Sequence, residues 1–157
     1  MYKLPENPTK KDFEKKYQTK NPWELDGTLN DLVRSDILNN IFKNKTFNYG
    51  LDIACGEGFL TAKLNFIKNK FAVDISEKAI IRASKSYKNI TFSSGDAFKK
   101  LITKRKFDFV SCFEALYYPL SSEDRKNALR NIMLYGNNNA TFAFSVVTIG
   151  KNNSGSY

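Results

Sequence analysis

Short apolar runs alternate with amphipathic segments along most of the chain. The apolar runs predict five strands, a first one beginning near residue 51 and others at residues 71–74, 89–92, 106–113 and 140–148. Apolar positions at helical spacing, together with cap signals such as Ser76, predict helices at residues 28–42, 60–67, 77–87 and 121–135. Alternating strands and helices indicate an α/β fold, a Rossmann-like, doubly wound parallel sheet with helices on both faces.

The pattern divides the chain into an N-terminal arm, residues 1–27, and a single domain, residues 28–157. The arm is polar and rich in lysine, and its large apolar anchors are Phe13, Tyr17 and Trp23. Two interpretations of Trp23 stay open: a surface anchor that packs the arm onto the first helix of the domain, or a lid over a ligand cleft.

The first strand breaks into a turn of small residues, Ala54-Cys55-Gly56-Glu57-Gly58, before a helical pattern begins. Glycine can adopt positive φ and lets a ligand approach the backbone, and the start of a helix offers free N–H groups. The second strand ends sixteen residues after Gly58 in Asp74. A carboxylate at that strand tip can accept both hydroxyls of a ribose.

Dinucleotides and adenosylmethionine both use such a turn, and the glycine spacing separates them. The dinucleotide-binding motif G-x-G-x-x-G, aligned with its first two glycines at Ala54 and Gly56, requires a third glycine at position 59. This chain has Phe59 there. The tighter spacing favours a cofactor without a pyrophosphate. The alternative is a turn that binds no ligand and contains glycine only because the backbone conformation requires it. This alternative is disfavoured because Asp74, Asp96 and Glu114 also lie at predicted strand ends. The carboxyl ends of parallel strands meet at one rim, where ligands bind.

Composition narrows the chemistry further. The 157 residues suffice for one domain, and the net charge of +9 is spread over several lysine runs that we interpret as solvated faces. The absence of histidine excludes histidine bases and histidine–zinc sites, and nothing suggests another metal site. Cys55 and Cys112 suit reduced thiols, and no run approaches the ~20 apolar residues of a membrane span. We therefore expect a soluble, cytoplasmic protein.

At these motifs the chain resembles the class I S-adenosyl-L-methionine-dependent methyltransferases, from about Trp23 to Val147. The resemblance implies S-adenosyl-L-methionine as cofactor and a site drawn from four motifs. The implied cofactor-binding residues are Asp52, Ala54, Cys55, Gly56 and Gly58 of the first motif, Asp74 and Ile75 of the second, Asp96 and Ala97 of the third, and Phe113 of the fourth. Asn21-Pro22-Trp23 and the run from Phe113 to Tyr118 look most like the nodulation protein S group, whose members N-methylate the amino sugar of a chitooligosaccharide.

One departure from that family concerns the fifth strand. The family sheet normally continues beyond it with an antiparallel hairpin, whereas here only ten residues follow Val147. The run from Thr141 to Val147 is apolar on both faces, so its outer edge needs a neighbour. We expect either a truncated gene product or a partner along this strand, a second copy or another chain.

The predicted reaction is methylation of a small-molecule acceptor, and the first candidate acceptor is an amine on a sugar-like molecule. Glu114 and Tyr117 are the candidate catalytic residues: Glu114 as a weak base, Tyr117 lining the acceptor pocket with Tyr118. O-methylation of a small molecule and a noncatalytic adenosylmethionine-binding module are the alternatives. Nucleic acid is a disfavoured partner, because Phe113-Glu114-Ala115-Leu116 replaces the Asn/Asp-Pro-Pro-Tyr/Phe motif of base methyltransferases.

Overall fold

The computed structural model describes residues 3–5, 8–24, 29–100, 102–118 and 121–145. Five strands form one sheet in the order β3-β2-β1-β4-β5, and all four pairings are parallel. This topology confirms the predicted Rossmann-like sheet. In chain order the elements are α1 (Lys10–Lys16), α2 (Leu29–Ile41), β1 (Phe47–Ile53), α3 (Phe59–Lys63), β2 (Ile67–Asp74), α4 (Glu77–Ser86), β3 (Ile90–Ser94), β4 (Phe107–Phe113), α5 (Ser122–Met133) and β5 (Gly136–Ser145).

The two central strands carry apolar side chains on both faces, which is why both faces are covered. Leu51 of β1 lies beside Val110 of β4 in the sheet, and both belong to a buried cluster that includes Ile132 of α5. Phe109 belongs to a second cluster with Leu38 of α2. Alternate residues of a strand point to opposite faces, so each cluster holds its helix against the sheet.

Two of the helices begin at serine caps. The Ser76 hydroxyl accepts a hydrogen bond from the N–H of Ala79 at 3.2 Å, as the sequence predicted for α4. The Ser121 hydroxyl accepts one from the N–H of Asp124 at 2.9 Å at the start of α5. Each cap contributes about 1 kcal/mol by satisfying an N–H that has no partner within the helix.

The predicted helix at 60–67 is too long and the predicted strand at 71–74 too short. Helix α3 ends at Lys63, and β2 already begins at Ile67. The side chain of Asn39 on α2 explains the early end, since its amide donates to the Lys63 carbonyl and accepts from the Asn65 N–H, each at 2.9 Å. These bonds replace those a longer helix would make.

Strand β5 begins four residues before the predicted segment at 140–148, and residues 146–148 lie outside the described part of the chain. A register irregularity between Phe107 and Phe109 of β4 leaves the polar asparagine run, Asn137 to Asn139, without register partners in β4. The amide of Asn137 donates to Asp108 at 2.7 Å there. Asparagine is a poor strand former, so composition alone hid this extension.

The N-terminal arm contains a helix that the sequence did not predict. Helix α1 begins with a capping box between Thr9 and Asp12. It lies against the start of α4, where the Glu14 carboxylate accepts from the N–H of Glu77. A carboxylate is favourable there because the free N–H groups give that helix end a partial positive charge.

Candidate active site

A cavity of about 1040 Å³ opens above the carboxyl ends of the strands. Its walls come from the arm, α2, the loops after β1 to β4, and α5. All the predicted site residues except Gly58 line it, namely Asp52, Ala54, Cys55, Gly56, Asp74, Ile75, Asp96, Ala97, Phe113, Glu114 and Tyr117. The structure therefore brings the four motifs together in one space, whose volume is at the upper end of the ~300–1,000 Å³ typical of ligand pockets.

The turn after β1 is built from left-handed residues. Ala54, Gly56 and Gly58 have φ of 60°, 56° and 80°. A side-chain carbon at Gly56 would lie 2.7 Å from the Tyr17 hydroxyl, so glycine is required there on two counts. Gly58 does not reach the cavity, because it packs against the ring of Phe92, 2.9 Å from where its Cβ would be. Its contribution is to the turn and to packing.

Asp74 is held at the mouth of this turn by backbone N–H groups. One carboxylate oxygen accepts from Gly56 at 2.8 Å and the other from Ser76 at 2.9 Å. Burial raises the pKa of this carboxyl to about 6, while the two hydrogen bonds oppose the rise. Each oxygen keeps lone-pair capacity for a ligand hydroxyl.

Asp52 is buried on the inner side of the same turn, and its carboxylate is engaged within the protein. One oxygen accepts from the Thr61 hydroxyl and the other from the Ser111 hydroxyl, the latter at 2.9 Å. Burial raises the pKa of this carboxyl also to about 6. These bonds tie β1 to α3 and β4, so Asp52 supports the turn from below.

The loop after β3 forms the side of the cavity next to α5. An oxygen of Asp96 accepts from the N–H of Phe98 at 3.1 Å, and Lys99 lies 3.5 Å from its other oxygen. The Asn131 amide of α5 donates to the Phe98 carbonyl. Asp96 and Ala97, predicted as cofactor residues, therefore sit in a loop braced by that helix.

The arm forms a further wall, which the sequence did not predict in this form. Tyr17 is 3% exposed, and its hydroxyl accepts from the indole N–H of Trp23 at 2.8 Å. Burial raises the pKa of the Tyr17 phenol. Phe13 meets the ring of Tyr118 edge to face at 5.0 Å. Trp23 itself lines the cavity, as the lid interpretation expects.

Arg82 of α4 fastens the arm in this position. Its guanidinium donates to the carbonyls of Tyr17 at 2.6 Å and Thr19 at 2.9 Å. It also pairs at 2.7 Å with Glu57, which is buried and accepts from the N–H of Asn21. Glu57 belongs to the glycine turn, so the arm, α4 and the turn form one connected unit.

Glu114 follows the end of β4 and lines the cavity. Its φ is 53°, a left-handed conformation that is costly for a residue with a side chain. The carboxylate pairs with Arg34 of α2 at 3.2 Å. The rings of Tyr117 and Tyr118 lie 4.5 Å apart beside it, and both line the cavity. Arg34 was not predicted, since no local pattern links it to a residue eighty positions away.

A model of the family described as nodulation protein S (NodS) matches residues 6–149. The chain belongs to the NodS family. It is accordingly a SAM-dependent methyltransferase, and S-adenosyl-L-methionine is its cofactor. This confirms the resemblance inferred from the motifs. No curated protein sequence matches the chain.

Three solved structures illustrate the fold of this NodS-family chain. N-methyltransferase NodS from Bradyrhizobium japonicum, in complex with S-adenosyl-L-homocysteine, is 24% identical over 85% of this chain and 70% of that one, with a TM-score of 0.73. A SAM-dependent methyltransferase from Clostridium acetobutylicum is 26% identical over 78% of this chain and 52% of that one, with a TM-score of 0.64. A sugar N-methyltransferase from Streptoalloteichus sp. is 15% identical over 92% of this chain and 56% of that one, with a TM-score of 0.63. The chain thus spans between 52% and 70% of the length of these proteins.

Proposed function

We propose that this methyltransferase N-methylates a small amine, with an amino sugar as the first candidate. The observation that carries the proposal is the placement of Glu114, beside Tyr117 and Tyr118, in the same cavity as the cofactor motifs. A carboxylate and two aromatic rings suit an acceptor that carries an amine on a sugar ring. Two of the similar structures, an N-methyltransferase NodS and a sugar N-methyltransferase, support this acceptor class.

The cofactor side of the cavity fits S-adenosyl-L-methionine. The oxygens of Asp74 keep capacity for the ribose hydroxyls, and Gly56 lines the cavity beside them. We propose Asp96 and Ala97 for the adenine, with Ile75 and Phe113 as apolar neighbours and Cys55 in the turn. When bound, the cofactor supplies a sulfonium methyl group that needs no further activation.

The acceptor side has to position a nucleophile, which can lower a barrier by roughly 7–11 kcal/mol. An amine attacks in its neutral form and loses a proton afterwards, so a weak base suffices. Glu114 would take that proton directly or through water, and the rings of Tyr117 and Tyr118 would form the platform for the sugar. Tyr117 is 44% exposed, so it is accessible to an acceptor entering from solvent.

O-methylation is the second candidate, because the same carboxylate could serve a hydroxyl. A hydroxyl has to be deprotonated as it attacks, so it depends far more on the base. We therefore expect Glu114→Gln to slow amine methylation by about tenfold and hydroxyl methylation by a hundredfold or more. A noncatalytic module would bind the cofactor with no turnover on any acceptor.

The experiment is a transfer assay with methyl-labelled S-adenosyl-L-methionine. The acceptors are D-glucosamine, a partially deacetylated chitooligosaccharide, N-acetylglucosamine and an unstructured RNA. N-acetylglucosamine is the matched control, since it keeps the ring hydroxyls and lacks the free amine. We expect label on the two amines, at a rate that rises with pH as the amine deprotonates. Label on N-acetylglucosamine would favour O-methylation, and label on RNA alone would contradict the proposal.

We also propose that the outer edge of β5 takes a partner strand, from a second copy or from another chain. Within the described residues β5 pairs only with β4, and Phe144 on it is 38% exposed. A long apolar edge strand is a template for further pairing.

The described residues contain no helix long and apolar enough to cross a membrane. Because Cys55 and Cys112 are both free thiols, we propose a cytoplasmic location.

A further inference from the structure

The carboxylate of Glu114 is held in an asymmetric way. The Ser145 hydroxyl of β5 donates to Oε1 of Glu114 at 2.9 Å, and Arg34 of α2 donates to the same oxygen at 3.2 Å. The backbone N–H of Glu114 in turn donates to the Ser145 oxygen at 3.1 Å. Two elements distant in sequence thus hold one oxygen of the proposed base.

The other oxygen is left available. Among the described residues, Oε2 of Glu114 has no hydrogen-bond partner, and the side chain lines the cavity. The left-handed backbone at this residue persists only if its surroundings enforce it. The bonds to Ser145 and Arg34 are the described contacts that do so. A fixed Oε1 and an available Oε2 are what a base needs in order to meet a nucleophile in one orientation.

We propose that Arg34 is a positioning residue, which fixes Oε1 of Glu114 so that Oε2 is presented to the acceptor amine. This rests on the proposed function. Arg34 can do so because α2 is itself fixed to the sheet, with Leu38 buried against Phe109 and Asn39 bonded to the end of α3. The guanidinium presents its N–H donors in a rigid planar arrangement, which suits it to hold a carboxylate oxygen in one position.

Two other roles for Arg34 make different predictions. If Arg34 bound the acceptor itself, its loss would raise KM and would act independently of Glu114. If it only fastened α2 to the sheet, its loss would lower thermal stability and cofactor affinity together. A positioning residue acts through Glu114 alone, so its effect disappears once Glu114 has lost its base function.

The experiment is a double-mutant cycle with D-glucosamine as acceptor, using Arg34→Met, Glu114→Gln and the double variant. We expect Arg34→Met to lower kcat about three- to tenfold, no more than Glu114→Gln does, with KM and S-adenosyl-L-homocysteine affinity within about twofold of wild type. The double variant should be no slower than Glu114→Gln. Arg34→Lys, which keeps the charge and one donor, should recover part of the rate.

The matched control is Arg105→Met, because Arg105 stacks on Tyr49 and Phe71 at the opposite end of the sheet. It should leave kcat unchanged. Ser145→Ala removes the other hydrogen bond to Oε1 of Glu114. If Arg34→Met does not fold, this variant tests whether fixing Oε1 contributes to kcat. An equal loss from Arg34→Met in the wild-type and Glu114→Gln backgrounds would overturn the inference, as would a change in KM alone. If wild type methylates no amine, the proposed function fails and this inference with it, whereas unchanged kcat in Arg34→Met refutes the inference alone.

Discussion

The Asp74 carboxyl is buried, yet its hydrogen bonds leave it capacity for a ligand. Burial disfavours its charged form, and the N–H groups of Gly56 and Ser76 restore part of the stability of the ion. The result is an acid with a pKa of about 6, which retains hydrogen-bonding capacity towards the cavity. Asp52 has a similar pKa but its oxygens are already engaged by Thr61 and Ser111. The two aspartates thus differ in the hydrogen-bonding capacity that they leave for a ligand.

Replacing Asp74 by alanine should weaken cofactor binding. A hydrogen bond to a charged group contributes about 1.5–3 kcal/mol, so the dissociation constant of S-adenosyl-L-homocysteine should rise roughly ten- to a hundredfold. Titration calorimetry measures this, and circular dichroism checks that the variant is folded. Asp36→Asn, at an exposed position on α2, is the control and should bind normally. Unchanged affinity in folded Asp74→Ala would remove Asp74 from the cofactor site.

Cofactor affinity should also depend on pH through Asp74. The ionised carboxylate can accept from both ribose hydroxyls, while the protonated form loses acceptor capacity. Because the pKa is raised to about 6, affinity is fully present above pH 6 and falls as the pH drops through that value. Binding measured between pH 5 and 8 in wild type and in Asp74→Asn tests this. A pH dependence that persists in the variant would assign the step to another group, such as Asp52.

A site residue could be predicted from the sequence when the features that mark it lie within a few neighbouring positions. Asp74 and Gly56 stand out because a strand end and a turn are visible in a few consecutive residues. Arg34 could not be found in this way, since its contact with Glu114 joins positions eighty apart in sequence. The hydrogen bond of Tyr17 with Trp23 is local, but its closeness to Gly56 depends on the arm folding back over the turn. Side-chain pairing across elements leaves no periodic signal.

At the scale of elements, the strands near the rim were predicted better than their far ends. Strand β2 continues from Phe71 back to Ile67 through two lysines and an asparagine, at the end of the sheet opposite the site. Lys68 and Asn69 are exposed there, whereas the Lys70 ammonium donates to the Ala62 carbonyl at 2.9 Å. A polar stretch of this kind looks like a loop in sequence. Helix α1 was missed because its seven residues are mostly charged, and the contacts that stabilise it lie on α4.

The arm should act as a wall of the cofactor site that depends on Arg82. Arg82→Met removes the donors to Tyr17 and Thr19 and leaves the buried Glu57 without its ion-pair partner. We expect faster tryptic cleavage within residues 10–20 and an affinity for S-adenosyl-L-homocysteine reduced by about tenfold, consistent with hydrogen bonds to charged groups.

Lys85→Met, one turn along the same helix, is the control for the loss of a positive charge from α4. It should match wild type in both cleavage rate and affinity. Bound S-adenosyl-L-homocysteine should slow cleavage of the wild-type arm. If Arg82→Met leaves both cleavage and affinity as in wild type, the arm is held by other contacts and the link between arm and cofactor is wrong.

At the scale of the whole molecule, the parallel, doubly wound sheet could be predicted because alternating strands and helices are constrained by handedness and short connections. Its outer boundary could not. The sequence shows that β5 is mainly apolar from Ala140 onward, and the structure shows Thr141 and Phe142 paired with Phe109 and Val110 on one side. The sequence pattern of a single chain carries no information about what would lie against the other side.

The edge of β5 should make the isolated chain self-associate as concentration rises. Phe142 and Phe144 stack with ring centroids 6.3 Å apart, and Phe144 is exposed. Within the described residues β5 pairs with β4 alone, so its outer side presents apolar surface and backbone groups to which a further strand could pair. Phe144→Lys places a charge on this strand and should shift sedimentation towards monomer, because burying an unpaired ammonium in a paired edge is costly. Ile81→Lys, an equally drastic change at an exposed position of α4, should leave association unchanged. Wild-type protein that remains monomeric at about millimolar concentration and unfolds in one cooperative step would show that the edge is satisfied without a partner.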